Sequence, residues 1–190
     1  MTLQPPFPNR LTREQYYDLG RRGVFDGLRV ELIFGRVVVM SPINWPHTLG
    51  VGLVTDALRA AFATGHWVNV QPPLTVPATS PVSEPQPDVA VIPGTPRSYT
   101  DHPTVAALVV EVSDSTLTYD LTTKAEVYAT AGVADYWVLD VVGRELHVLR
   151  DPTPAASLST YHTHLTLGVA DTISPPAAAT ATIPVADLLP

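Results

Sequence analysis

The sequence predicts an α+β fold, a mixed β-sheet with two substantial helices packed on it. Three patterns lead there. Residues 108–140 read as a buried strand, a turn, a helix and a second strand. Residues 28–40 and 136–149 each hold two β-rich runs joined by a short turn, which is hairpin patterning. Residues 46–64 carry apolar side chains at helical spacing. One domain over residues 12–190 accommodates these elements, after an arm at 1–11 that holds three prolines.

Thr12 is placed to cap a short helix, with Gln15 completing a capping box and Gly20 and Gly23 stopping it. The first hairpin follows, residues 28–34 and 37–40 around Gly35 and Arg36, with Glu31 inside its first strand. In the long helix Leu49, Leu53, Val54, Leu58, Ala61 and Phe62 share a face. His47 sits in its first turn and Gly65 stops it. Residues 67–71 and 74–76 read as short strands, and the proline-rich 77–87 as an irregular loop. Asp88 opens a strand at 89–92, and a second loop at 93–103 leads to the most apolar strand, where Glu111 interrupts Leu108, Val109, Val110 and Val112. The next helix, 119–131, has Leu121, Ala125 and Tyr128 as its apolar stripe, Lys124 beside them, and Gly132 at its end. A second hairpin, 136–139 with 145–149, and an edge strand at 161–167 complete the sheet. The tail at 174–187 is low in complexity and reads as a surface segment.

Hydrophobic residues at 45% and charged residues at 15% describe a chain with a sizeable core. No apolar run is long enough to span a bilayer, and the first fifteen residues lack a secretory pattern. There are no cysteines, hence no disulfides or thiolate metal sites, which is compatible with a cytoplasmic location. Eleven basic residues face eighteen acidic ones, for a net charge of -7. That balance counts against tight, general binding to DNA phosphates. It leaves room for a local basic groove or for carboxylates balanced by metal. Ten of the eleven basic residues are arginine, so Lys124 is the single compact ammonium in the chain.

Glu31, Asp88, Glu111 and Lys124 stand where charge is costly to bury unless neutralised. Carboxylates at the ends of neighbouring strands suit Mg²⁺ or Mn²⁺, and a nearby lysine can hold or polarise a water. Each residue also has a plainer reading. Glu31 fits a half-exposed strand position, and Asp88 a turn after Pro87. Asp120 and Lys124, four apart, fit a surface helix pair worth roughly 0.3 kcal/mol. His47 fits a packing role. Trp45, Trp67, Tyr136 and Trp137 read as core or rim packing rather than base-stacking platforms.

The stretches VELIFGRVVVMSP (30–42), SEPQPDVAVI (83–92), LVVEVSDST (108–116), YDLTTKAEVYATAGVADYWVLD (119–140) and IPVADLL (183–189), with His47 opening the long helix, together resemble the Uma family of restriction endonucleases. That family lies in the PD-(D/E)XK nuclease superfamily. The resemblance implies a restriction-endonuclease-like mixed sheet flanked by helices, with an N-terminal β-hairpin. It implies a metal-dependent endonuclease that hydrolyses phosphodiester bonds in nucleic acid, DNA first, using Mg²⁺ or Mn²⁺. Asp88, in the literal Pro87-Asp88 pair, and Glu111 become the metal carboxylates. The lysine of the motif falls two residues after Glu111, where this chain has Ser113. The resemblance passes its role to Lys124. Glu31 matches an acidic residue of the first hairpin and joins the catalytic group. His47, Gln86 and Asp120 become supports of that group or contacts to substrate. Phe34 stands where many relatives have Asp, and Asp114 where many have Pro or Ser. A homodimer is a further expectation, since such nucleases often pair to cut two strands.

Two other functions fit the same residues. One is a catalytically silent binding or assembly module on the same scaffold, which need not bind metal. The other is a hydrolase of small phosphate esters, which would process nucleotides but not polymers.

Overall fold

The structure is a computed structural model that describes residues 10–79, 81–153 and 158–190. Most of the expected arm, residues 1–9, lies outside the described residues. Helix α1 (Arg13–Arg21) begins at the expected capping box, with Gln15 N–H donating to Thr12 Oγ1 and Thr12 N–H to Gln15 Oε1. Arg13 fastens it by donating to the buried Glu84 at 2.6 Å. The hairpin β1 (Val30–Ile33) and β2 (Arg36–Val39) turns through Phe34 and Gly35 at φ 48° and 76°. Two successive left-handed residues match the right-handed twist of the strands they join.

Helix α2 (Trp45–Ala61) is capped by Asn44, whose Oδ1 accepts from the His47 N–H at 3.0 Å. The central sheet then builds from β3 (His66–Val70), β4 (Val89–Pro93), β5 (Leu108–Ser113), β6 (Asp135–Asp140), β7 (Glu145–Thr153) and β8 (Thr160–Gly168), in that spatial order. Strands β5 and β6 run parallel, and every other neighbouring pair is antiparallel. The parallel pair is joined by a helical crossover: α3 (Leu117–Tyr119), a wide π turn (Asp120–Lys124) and α4 (Ala125–Thr130). In that turn the Ala125 N–H reaches back five residues to Asp120 O. A uniform helix at 119–131 is therefore replaced by one with an expanded turn, and both polar ends of that turn, Asp120 and Lys124, are buried. Gly132, at φ 72°, ends the helix.

Alternation along β5 divides the core. Val110 and Val112 pack with Val54 and Leu58 of α2, while Val109 packs with Ala125 and Tyr128 of α4. Two expectations are corrected. Residues 74–76 form no strand: Val76 bridges Ser83 singly, because the prolines at 72, 73 and 77 withhold ladder donors. Nor is the tail a surface segment. Ile183 and Val185 are buried in the α2-side core, and β10 (Ile183–Pro184) pairs with β9 (Thr172–Ile173). The alanine-rich stretch masks these apolar anchors in the sequence. Among the described residues no helix is long and apolar enough to cross a membrane.

Candidate active site

The register of β4 and β5 pairs Val89 with Val110, so one step outward sets Asp88 opposite Glu111. Opposed residues share a face of the sheet. That face is the one carrying Ala90 and Val109, toward α4. Lys124 approaches it from the crossover helix. Its Nζ lies 2.6 Å from Glu31 Oε2 and 3.0 Å from Glu111 Oε1. Strands β1, β4 and β5 and the π turn thus bring Glu31, Asp88, Glu111 and Lys124 together. All four are at least 95% buried, with exposures of 2%, 5%, 4% and 3%. The surface ion pair between Asp120 and Lys124 does not form: the ammonium turns to the two glutamates, and Asp120 Oδ2 accepts from Thr116 Oγ1 at 2.6 Å. Glu31 is fully inside rather than half-exposed.

Each carboxylate is held by specific donors. Asp88 Oδ2 accepts from the Val112 backbone N–H at 2.9 Å and meets His47 Nε2 at 3.1 Å. Its Oδ1 has only a long 3.4 Å approach from the Gln71 amide. Glu111 Oε1 accepts from Tyr128 OH at 2.6 Å as well as from Lys124, and its Oε2 from the Asp88 N–H at 3.3 Å. Gln86 works from behind: its backbone N–H donates to Glu31 Oε2 at 3.2 Å and its side chain to Val30 O at 2.9 Å. Its amide is therefore engaged with the hairpin.

His47 arrives from the opposite side of the sheet because α2 can come close. A Cβ at Gly50, one turn on, would sit 3.0 Å from Val112 Cγ1. A side chain there would press on Val112, so either that side chain or the helix that carries His47 would have to give by a few tenths of an ångström.

Burial pushes the Glu111 carboxyl up to about 8, against the pull of Lys124 and with help from Asp88, Asp120 and Glu31. Burial likewise pushes Asp120 up to about 6. Burial favours losing the Lys124 proton, yet Glu111 and Glu31 outweigh it and hold the ammonium charged. The hydrogen bond to Asp88 raises His47 above its ordinary value, despite burial. Four acids thus crowd around one ammonium and one imidazole. An excess of oxygen donors that lacks positive charge fits a hard divalent cation.

A cavity of about 250 Å³ opens on these side chains, and Asp88, Glu111, Lys124 and Asp120 are in its wall. Arg29, Asn44 and Tyr119 also line it, and the sequence reading had not singled them out. Arg29 had a usable signal, since it lies two residues before Glu31 on an extended segment and so shares its face. Tyr128 had one too, being four residues after Lys124 on the same helix face. The Tyr119 hydroxyl and His47 Nδ1 are buried with no hydrogen-bond partner. Trp45, expected as packing, is 72% exposed at the start of α2.

Among curated proteins none matches the chain. Among solved structures, its fold is similar to that described as "a putative nuclease belonging to DUF820" from Anabaena variabilis ATCC 29413. The TM-score is 0.71 at 13% identity, over 94% of this chain and 97% of that one, a likeness of fold. The model of the Uma2 family, described as "Putative restriction endonuclease", matches residues 13–186, and the chain belongs to that family.

Proposed function

We propose that this protein is a nuclease that hydrolyses phosphodiester bonds in nucleic acid, DNA first, with a divalent ion held by Asp88 and Glu111. The observation that carries the reading is the convergence of two opposed strand carboxylates and the chain's single lysine on one cavity. Bound there, Mg²⁺ or Mn²⁺ would supply Lewis acidity toward a phosphoryl oxygen and lower the pKa of an attacking water.

The chain's own residues divide the remaining work. Val112 N–H and His47 fix one oxygen of Asp88 and leave the other facing few donors. Tyr128 and Lys124 fix Oε1 of Glu111. Lys124 has three N–H donors, and Glu31 and Glu111 account for two. The third is free to orient a water or to meet charge growing on the phosphoryl oxygens. Glu31 keeps the ammonium in place and protonated. Arg29 and Tyr119 line the cavity, and the Arg29 guanidinium would serve as a donor for a phosphate.

The test is cleavage of supercoiled plasmid and of single-stranded DNA and RNA in Mg²⁺ or Mn²⁺. Wild type should nick or cut with metal and not with chelator. Asp88→Asn and Lys124→Ala should each lose at least about a hundredfold in rate, the first through loss of a metal ligand and the second through loss of a transition-state donor. Full activity in either variant would remove that residue from the mechanism. Turnover of nucleotides alone, with polymers untouched, would move the protein to the small-ester hydrolases.

A further inference from the structure

A second set of metal-ligating side chains lies at the turn between β6 and β7. Asp140 ends β6 and pairs with Glu145 at the start of β7, so the two acids share a face of the sheet. His147 is two residues along β7, on that same face. One carboxylate oxygen from each acid and one imidazole nitrogen lie within 4.8 Å of one another. Ligands about 2.1 Å from one ion stand roughly 3–4 Å apart, so small side-chain adjustments would close the set.

Acids in a turn do not by themselves make a site. The imidazole is what distinguishes this one. His147 is 7% exposed, and its Nε2 is sealed from solvent with no hydrogen-bond partner. That nitrogen lies 3.3 Å from Glu145 Oε1, so it is aimed into the cluster, though without hydrogen-bond geometry. Its Nδ1 is engaged on the other side, 3.2 Å from His164 Nε2 and 3.3 Å from Thr166 Oγ1. A proton on Nδ1 directed at His164 leaves a lone pair on Nε2, the arrangement in which a neighbouring acceptor orients a metal-binding histidine. Among the described residues no arginine or lysine forms an ion pair with Asp140 or Glu145. Arg144, in the same turn, donates instead to Pro190 O at 2.9 Å. Asp140 is held by the Gly143 N–H at 2.8 Å, and a Cβ at that glycine would strike its other oxygen.

We infer that Asp140, Glu145 and His147 bind one divalent transition ion of the Zn²⁺ type, at a site distinct from Asp88 and Glu111. A donor set with an imidazole selects such an ion over Mg²⁺, and three protein ligands leave a position for water. Asp140 is paired with Ser113 in the parallel ladder, so the ion would clamp the strand next to the one that carries Glu111. The inference stands independently of the nuclease reading.

The competing arrangement is a protonated His147 paired with Glu145, which takes up no metal. The two are separated by counting Zn²⁺ equivalents bound to the full chain by calorimetry and elemental analysis, with excess Mg²⁺ present. Wild type should bind one more equivalent than Glu145→Gln or His147→Gln. The Glu145 side chain is 37% exposed, so Glu145→Gln keeps the test open if the buried His147 variant fails to fold. Co²⁺ should give a low-symmetry visible absorption in wild type that both variants lack. Equal Zn²⁺ uptake by wild type and Glu145→Gln, or no uptake by wild type, would overturn the inference.

Discussion

Asp88 stands directly across the β4–β5 ladder from Glu111, and its backbone N–H donates to Glu111 Oε2 at 3.3 Å. The two acids are therefore positioned by the sheet itself, not by loops. A sheet register is rigid, because slipping either strand by one residue would turn its acid away from the other, toward α2. The fixed pair also sets two carboxyl groups side by side, which makes ionising both of them costly.

Glu111 makes the metal-free protein less stable as pH rises. Its folded-state value of about 8 lies above the ordinary carboxylate range, so the folded chain holds a proton that the unfolded chain has released. Stability contributed by this group is full below pH 4.5 and falls through pH 8, by up to about 1.4 kcal/mol per pH unit. Asp120 adds a fall of the same sign below pH 6. Urea titrations in chelator should show this slope, and Glu111→Gln should flatten it above pH 6.

Metal binding should release that proton. Below pH 8 the apparent affinity for Mn²⁺ is expected to rise about tenfold per pH unit while one proton is displaced. Calorimetry in buffers of different ionisation enthalpy measures the released proton directly. A pH-independent affinity would show that Glu111 is not a ligand.

Removing the Lys124 ammonium leaves two glutamates buried without their partner. Lys124→Met should destabilise the fold by about 3–5 kcal/mol at pH 9, above the Glu111 value of about 8, the cost of an orphaned buried charge. The loss should shrink as pH falls below 8, where Glu111 takes up a proton. Adding Glu31→Gln should recover part of it, as a double-mutant cycle would reveal.

Two glycines of α2 should respond oppositely to alanine. At Gly50 the new Cβ meets Val112, so Gly50→Ala should cost about 1–3 kcal/mol and weaken activity through His47. At Gly52 a Cβ meets nothing within 4 Å, and Gly52→Ala should stabilise by about 0.5–1 kcal/mol. Denaturation midpoints of the two variants, with nuclease rates alongside, check both signs.

The strands and the residues of the candidate site were legible for a common reason: polar residues break the period of apolar runs. Glu111 inside its valines and the lone Lys124 are local signals. Their meeting with Glu31 is not, because it depends on how the hairpin folds over the end of β4. The expanded turn at 120–124 was hidden, since its sequence is compatible with a regular helix and only tertiary pull on both Asp120 and Lys124 widens it. The tail was misread because proline and alanine dominate its composition, while Ile183, Val185 and Leu188 carry its packing. Trp45 was misplaced because a large apolar side chain at a helix start has no periodic cue to its face.

The most direct measurement is a crystal structure from crystals soaked in Mn²⁺, with anomalous scattering used to locate the ion. An anomalous peak is expected between the carboxylates of Asp88 and Glu111, with the Lys124 ammonium beside it. Fully soaked crystals with no peak between those two side chains would contradict it.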